Sequence, residues 1–222
     1  NKYDTIRCHW PSPQGIIGLA SVIASRKAKP IFVLHFHGAS LLLAKSYGYI
    51  KNVLYYLIRK ADLIVCNSGF TSRMVVEIKD VPTNIIPYGT PLEYKPIPLN
   101  NNPTKKILCV GRIIERKGLI YLIQAMPKIL DKCDAVLSIV GSGDPHIEWQ
   151  LKQEIQKFNL EDKVMFLGKL SNEALIEQYK KCDVFCLPAI IDSKGDTEGL
   201  GVVLLEALNY GRPVVASGVG GI

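Results

Sequence analysis

Two carboxylates eight positions apart, Glu198 and Glu206, flank a glycine-bearing elbow in Thr197-Glu198-Gly199-Leu200-Gly201-Val202-Val203-Leu204-Leu205-Glu206. Glycines let a backbone approach a ligand closely, and the amides that open a helix attract phosphate. Val202 to Asn209 predicts that helix, closed by Gly211 as a left-handed terminal residue and by Pro213 beyond it. Were residues 198–206 helical throughout, the two carboxylates would stand roughly 12 Å apart along the axis. That is too far to share a proton, and suits gripping two ends of one long ligand. Many doubly wound proteins carry a glycine-opened helix, so the rest of the chain must say what the ligand is.

Other chemistry-bearing segments precede it in a definite order. They are His35-Phe36-His37-Gly38, Gly111-Arg112-Ile113-Ile114-Glu115-Arg116-Lys117-Gly118, Val140-Gly141-Ser142-Gly143 and Phe166-Leu167-Gly168. Gly195-Asp196-Thr197-Glu198-Gly199-Leu200-Gly201 and Pro213-Val214-Val215-Ala216-Ser217 follow. Together these resemble the retaining GT-B glycosyltransferases of family 4 (glycosyl transferases group 1), with Glu198 and Glu206 matching their E-x7-E motif. The likeness covers nearly the whole chain and is denser after residue 105.

The resemblance implies transfer of a sugar from a nucleotide diphosphate sugar to an acceptor with retention of anomeric configuration. No metal or other cofactor is implied. Arg112 and Lys117 match the family's diphosphate-binding pair. Positioned cations stabilise the negative charge that grows on a leaving diphosphate. Gly199, Leu200, Gly201 and Val202 would add backbone donors, and Glu206 would accept from the ribose hydroxyls. Glu198 would lie near the donor sugar, its part as a nucleophile left open. Gly141 would lie near the base and ribose, and the backbone from Phe166 through Gly168 to Leu170 would read the base edge. His37 matches a histidine that contacts the sugar or acceptor, with a merely structural histidine as the other reading. Asp196 either holds its loop, touches the sugar or serves only in a turn. Arg116 and Glu115 read as solvated surface charges. Tyr88-Gly89-Thr90-Pro91 departs from the family's frequent Asn-Gly-Val-Asp.

Rival chemistries fit less well. His35 and His37 share a strand face, yet no third ligand has metal-site spacing. Gly141-Ser142-Gly143-Asp144 lacks the third glycine of a dinucleotide fingerprint, and Pro145 follows at once, which argues against a nicotinamide oxidoreductase. A non-catalytic homologue that binds nucleotide sugars is the alternative to an enzyme, and the intact Arg112, Lys117, Glu198 and Glu206 speak against such decay.

The elements that must hold these residues alternate strand and helix. Strands are predicted at 30–36, 62–66, 84–86, 106–110, 135–140, 164–167, 183–187 and 213–216. Helices are predicted at 14–25, 47–60, 70–79, 118–130, 146–159, 171–181 and 202–209. This alternation predicts parallel sheets covered by helices. Six prolines between Val81 and Lys105 and a run of three asparagines mark a linker at 98–104. The fold class is therefore α/β, with two Rossmann-like domains of the GT-B type. A partial acceptor-side domain would occupy 1–97 and a truncated nucleotide-sugar domain 105–222. The family's first glycine loop would precede Asn1 and its final helices would follow Ile222, so the sequence reads as an interior fragment.

Composition agrees with a globular α/β chain, 48% hydrophobic and 21% charged. No apolar run approaches the roughly 18 residues of a membrane span. Six cysteines without a CxxC pair read as free, mostly buried thiols, implying a reducing compartment and a cytoplasmic protein. Residues 1–97 hold 12 Lys/Arg against 5 Asp/Glu and residues 98–222 hold 15 of each, so the net charge of +7 belongs to the first part. From Lys45 to Lys60 basic residues interleave with Tyr47, Tyr49, Tyr55 and Tyr56. Such a helix either docks on an anionic membrane, where a lipid-linked acceptor could be presented at its inner face, or shows a solvated basic face. A polysaccharide acceptor stays open. No recognition motif accompanies the charge to suggest nucleic acid.

Overall fold

A computed structural model describes residues 3–25, 29–89, 96–98 and 103–222. The chain divides into two units, one ending at Tyr88 and the next starting at Gly89.

The first unit is a parallel sheet in the order β1-β2-β3-β4, with β1 at Thr5–His9, β2 at Ile31–Phe36, β3 at Leu63–Cys66 and β4 at Asn84–Ile85. Helices α1 (Ile16–Ile23), α2 (Ala39–Ser46), α3 (Gly48–Lys60) and α4 (Gly69–Ile78) connect them. Phe32, Leu34 and Phe36 alternate along β2 onto one core with Leu54, Leu57 and Ile58 of α3 and Met74 and Val75 of α4. Each such buried side chain contributes about 1.5–3 kcal/mol. Two elements here lay outside the sequence expectation, strand β1 and helix α2. The helix expected at 47–60 is α3, and Tyr47, with an extended backbone (φ −130°), separates it from α2, which carries Lys45.

In the second unit β5 (Lys105–Val110), β6 (Ala135–Val140), β7 (Val164–Gly168), β8 (Val184–Leu187) and β9 (Val214–Ala216) form a parallel sheet in the order β7-β6-β5-β8-β9. Helices α5 (Leu119–Leu130), α6 (Pro145–Lys157), α7 (Asn172–Lys181) and α8 (Val202–Asn209) cover both faces. Alternation along β5 sends Ile107 and Cys109 to the core under α5 and α6, and Leu108 and Val110 to the core with Tyr179 of α7 and Ala207 of α8. The strand order reverses between β5 and β8, and ligands of such sheets bind beyond the carboxyl ends of the strands at that switch point.

The second unit begins at Gly89, ahead of the expected linker, and Arg212 ties residues 97 and 98 to it. This guanidinium is buried and donates to the carbonyls of Cys182, Tyr210, Ile97 and Pro98. The Ile97 amide in turn donates to the Tyr210 carbonyl at 3.2 Å. Ile97 and Pro98 therefore belong to the packing of the second unit. Residues 99–102 of the expected linker, and Thr90-Pro91 of the turn after Gly89, lie outside the described residues.

Candidate functional site

The loops after β5 and β8 meet at the switch point. The first carries Gly111 and Arg112, passes through a single helical turn at Glu115–Lys117, and ends at Gly118 in a left-handed conformation (φ 63°). A Cβ on Gly118 would stand 1.9 Å from the Pro188 carbonyl oxygen, so only glycine lets this loop reach the one after β8. The second loop begins at Pro188 and ends at Gly201, the left-handed residue (φ 72°) before α8.

Charges fasten the two loops. Lys117, buried, donates from Nζ to Glu198 Oε2 at 2.5 Å, and Arg116 donates from Nη1 to the same oxygen at 3.0 Å. Arg116 Nη1 also donates to the Thr197 carbonyl at 3.2 Å. Its Nε lies 3.3 Å from Asp196 Oδ2 without the alignment of a hydrogen bond. Glu115 accepts from the amide and hydroxyl of Ser193 at 3.0 and 2.7 Å. Both residues read from sequence as solvated charges are thus structural partners of the opposite loop. Asp196 holds its own loop as well, accepting from the Thr197 amide at 2.7 Å.

Burial disfavours the charge on Glu198. The hydrogen bond and charge of Lys117, the charge of Arg116 and the Gly201 amide outweigh that cost and hold the carboxyl below the ordinary carboxylate range. Glu198 is therefore an anion at neutral pH. Arg112 is exposed and joins no ion pair among the described residues; it follows Gly111 on the loop that also carries Lys117.

Glu206 stands apart from this network. Residues 198–201 precede the helix, so the two carboxylates are not spaced along one continuous helix as the 12 Å figure assumed. On α8, Glu206 accepts at Oε2 from the Tyr179 hydroxyl at 2.6 Å. Tyr179 is buried between Phe185 and Tyr210, and burial followed by the Glu206 carboxylate pushes its phenol far above the usual range, so it stays a donor. Sequence reasoning missed Tyr179; its signal was a tyrosine facing inward on a helix otherwise rich in Lys, Glu and Gln.

Gly141 and Gly168 come together at the ends of β6 and β7, where the Gly141 amide donates to the Gly168 carbonyl at 2.8 Å. A Cβ on Gly141 would meet the Gly111 carbonyl oxygen at 1.9 Å, so three adjacent strand ends close ranks without side chains. Leu170 packs on the core shared by α7 and α8. Ser171 caps α7 as expected, accepting from the Ala174 amide at 3.3 Å. Gly199, Leu200 and Val202 lie half-buried at the start of α8.

These elements extend over a stretch that a family model recognises. Residues 92–222 match the model described as glycosyl transferases group 1, and residues 1–94 match glycosyltransferase family 4. The chain belongs to the glycosyl transferases group 1. A relative named as an uncharacterized glycosyltransferase of Methanocaldococcus jannaschii is 42% identical over 118 residues, 53% of this chain and 28% of its own length. A GDP-mannose-dependent alpha-(1-6)-phosphatidylinositol monomannoside mannosyltransferase of Mycobacterium tuberculosis is 34% identical over 124 residues, 55% of this chain and 31% of its own. The chain thus spans less than a third of either relative. Among solved structures, sucrose-phosphate synthase from Thermosynechococcus elongatus aligns with a TM-score of 0.77 at 23% identity, over 99% of this chain and 57% of that one. Anabaena HepE in complex with UDP and glucose aligns at 0.70 and 24%, over 99% and 60%. The fold is that of the GT-B glycosyltransferases.

Within the group 1 chain, the first unit supplies a second polar cluster. His37, just beyond β2, lies with Nε2 3.2 Å from His9 Nδ1 and bonds the Tyr88 hydroxyl through Nδ1. His9 stacks on His35 at 4.2 Å, and Trp10 leans on His37 at 5.5 Å. His9 is thus a third imidazole beside the pair, hidden from the sequence because β1 was not read. Even so, among the described residues no three of His, Cys, Asp and Glu are placed to hold a metal ion. Burial, then the charge of His9, holds the His37 imidazole below its usual range; burial, His9, His37 and Arg7 do the same for His35.

All six cysteines are free, and all but Cys133 are buried. No described helix is long and apolar enough to cross a membrane. On α3 the Tyr49, Tyr55 and Tyr56 rings are exposed, with Arg59 over Tyr55 and Lys60 over Tyr56 at 5.8 Å each.

Proposed function

We propose that the complete protein is a retaining glycosyltransferase that moves a sugar from a nucleotide diphosphate donor to an acceptor. The observation that carries this reading is the meeting of Lys117 and Arg116 with Glu198 at the mouth of α8, with Arg112 exposed on the same loop as both cations. A diphosphate leaving group needs positioned cations where its charge grows, and this site gathers them at the switch point. In this reading Arg112 and Lys117 take the diphosphate and the backbone of Gly199 to Val202 adds donors. Glu206 accepts from the ribose with the oxygen that Tyr179 leaves open. Gly141, Gly168 and Leu170 border the nucleoside, and Glu198 faces the sugar as an anion able to stabilise developing positive charge. His37 contacts the sugar or acceptor by the family resemblance alone. No metal or cofactor enters the scheme.

Two features support a lipid-linked acceptor met at the inner, cytoplasmic face of a membrane. One is the exposed aromatic and basic surface of α3. The other is the company of relatives named for phosphatidylinositol mannosides and for lipopolysaccharide core. The reading is tested by giving the complete protein UDP-glucose and GDP-mannose and following the first sugar product by proton NMR. Release of the sugar with the donor's anomeric configuration is expected. The opposite anomer overturns retention, and an intact donor under all acceptor conditions overturns the enzyme reading.

A further inference from the structure

The ion pair between Lys117 and Glu198 has a consequence for ligand binding. The Lys117 ammonium places one of its three donors on Glu198, at 2.5 Å. A diphosphate held by the others, as the reading above requires, would compete for its charge and draw it away from Glu198. A carboxylate with only 13% of its side chain exposed would then face an incoming anion with one cation fewer.

We propose that Arg116 is the positioning residue that keeps Glu198 ionised and fixed when Lys117 turns to a bound diphosphate. Lys117 and Arg116 differ in how they are held. The Arg116 guanidinium reaches Glu198 Oε2 at 3.0 Å, the Thr197 carbonyl at 3.2 Å and Asp196 Oδ2 at 3.3 Å, so three consecutive residues of the β8 loop restrain it. Its backbone is tied to the same loop, since the Arg116 carbonyl accepts from the Ile190 amide at 2.9 Å. A planar fork fixed at several points cannot follow a phosphate as a flexible lysine can. Among the described residues the charged groups facing Glu198 are Lys117 and Arg116 from the helical turn, with Asp196 one step farther out on Arg116. Two cations thus meet two carboxylates before ligand arrives, and Arg116 remains with both carboxylates when Lys117 is drawn away. Arg116 acts through Glu198 and need not touch the sugar nucleotide.

The test is a carboxyl carbon-13 NMR titration of Glu198, assigned through Glu198→Gln, in this chain with and without saturating UDP or GDP. Glu198 should remain ionised with nucleotide bound in the unsubstituted protein. In Arg116→Gln its titration should move to higher pH, and further with nucleotide than without it; Arg116→Lys, which keeps the charge, should fall between. A bound-state titration identical in Arg116→Gln and the unsubstituted protein overturns the inference. Should Arg116→Gln fail to fold, Lys117→Gln decides: Arg116 alone must then hold Glu198 below the ordinary range, and a return to that range overturns the inference. If neither nucleotide binds the unsubstituted protein, the transferase reading falls and takes this one with it, an outcome distinct from normal binding with an indifferent Glu198.

Discussion

The polar cluster at the mouth of α8 and the imidazole cluster beyond β1 and β2 sit at comparable places, the carboxyl ends of parallel strands, yet they are built on opposite rules. In the first, a buried lysine and a half-buried arginine meet a half-buried carboxylate, and the two cations hold its charge. In the second, three imidazoles crowd together with a tyrosine and a tryptophan, and burial followed by the charge of His9 disfavours protonation of His35 and His37. The contrast teaches where charge is to be met and where it is to be avoided. On the function proposed above, the second unit would meet an anionic ligand, and the rings of the first would meet hydroxyl groups.

The largest effect should come from removing the central cation of the charged cluster. Charge-assisted hydrogen bonds contribute about 1.5–3 kcal/mol, so Lys117→Ala should weaken UDP or GDP binding by roughly ten- to hundred-fold while the free nucleoside binds as before. Arg112→Ala should act in the same direction and less, since its side chain is exposed. Equal losses for nucleoside and diphosphate in calorimetry would break the assignment of this cluster to phosphate.

Glu206 sharpens the comparison within the second unit, because its partner is a neutral phenol. Glu206→Ala should weaken nucleoside and nucleotide binding alike, and Tyr179→Phe should do so by about 0.5–1.5 kcal/mol, the worth of one neutral hydrogen bond. A Tyr179→Phe effect confined to the diphosphate would show that the two carboxylates share a function.

For the imidazole cluster the expected response is to pH. His35 and His37 bind protons less readily when folded than when unfolded, so the unfolded state takes up more protons as pH falls. Stability should be fullest above the ordinary histidine range, decline as pH drops through it toward the depressed folded values, and then level off. Thermal melts of His9→Gln should show a shallower decline, since the neighbouring charge is gone. A steeper decline, or none in the unsubstituted protein, would mean that the imidazoles do not repel one another.

The smallest effect concerns the basic surface of the first unit. Each Lys or Arg near an anionic membrane contributes about 1 kcal/mol, screened within about 10 Å at 0.1 M salt. The complete protein should sediment with anionic vesicles at low salt and be released by high salt or by glutamine at Lys45, Lys51, Arg59 and Lys60. Equal partition to neutral vesicles, or none at all, would leave a non-membrane acceptor as the better account.

Much of this was legible in the sequence because it depended on local pattern. Val202–Asn209 and Ala135–Val140 fall where glycine, proline and apolar alternation placed them. What could not be read depended on partners remote in the chain. Arg116 sits in Glu115-Arg116-Lys117, which looks like a surface charge run; its burial is decided by residues 196–198, some eighty positions later. His9 was hidden because Thr-Ile-Arg-Cys-His, although Ile6 and Cys8 alternate onto the core, is only five residues long with two apolar side chains, and the parallel register with β2 makes a strand of it. Helix α2 was not read because Ala39–Ser46 follows β2 closely and continues its apolar run, whereas α3 falls where the helix at 47–60 was expected.

Calorimetric titration of the unsubstituted chain with UDP, GDP, the matching nucleosides and NAD puts the central claim to its most direct test. The account predicts that at least one nucleotide diphosphate binds more tightly than its own nucleoside, with an affinity that falls as salt rises, and that NAD binds more weakly than either. Tighter binding of NAD, or nucleoside and diphosphate binding of equal strength, would contradict it.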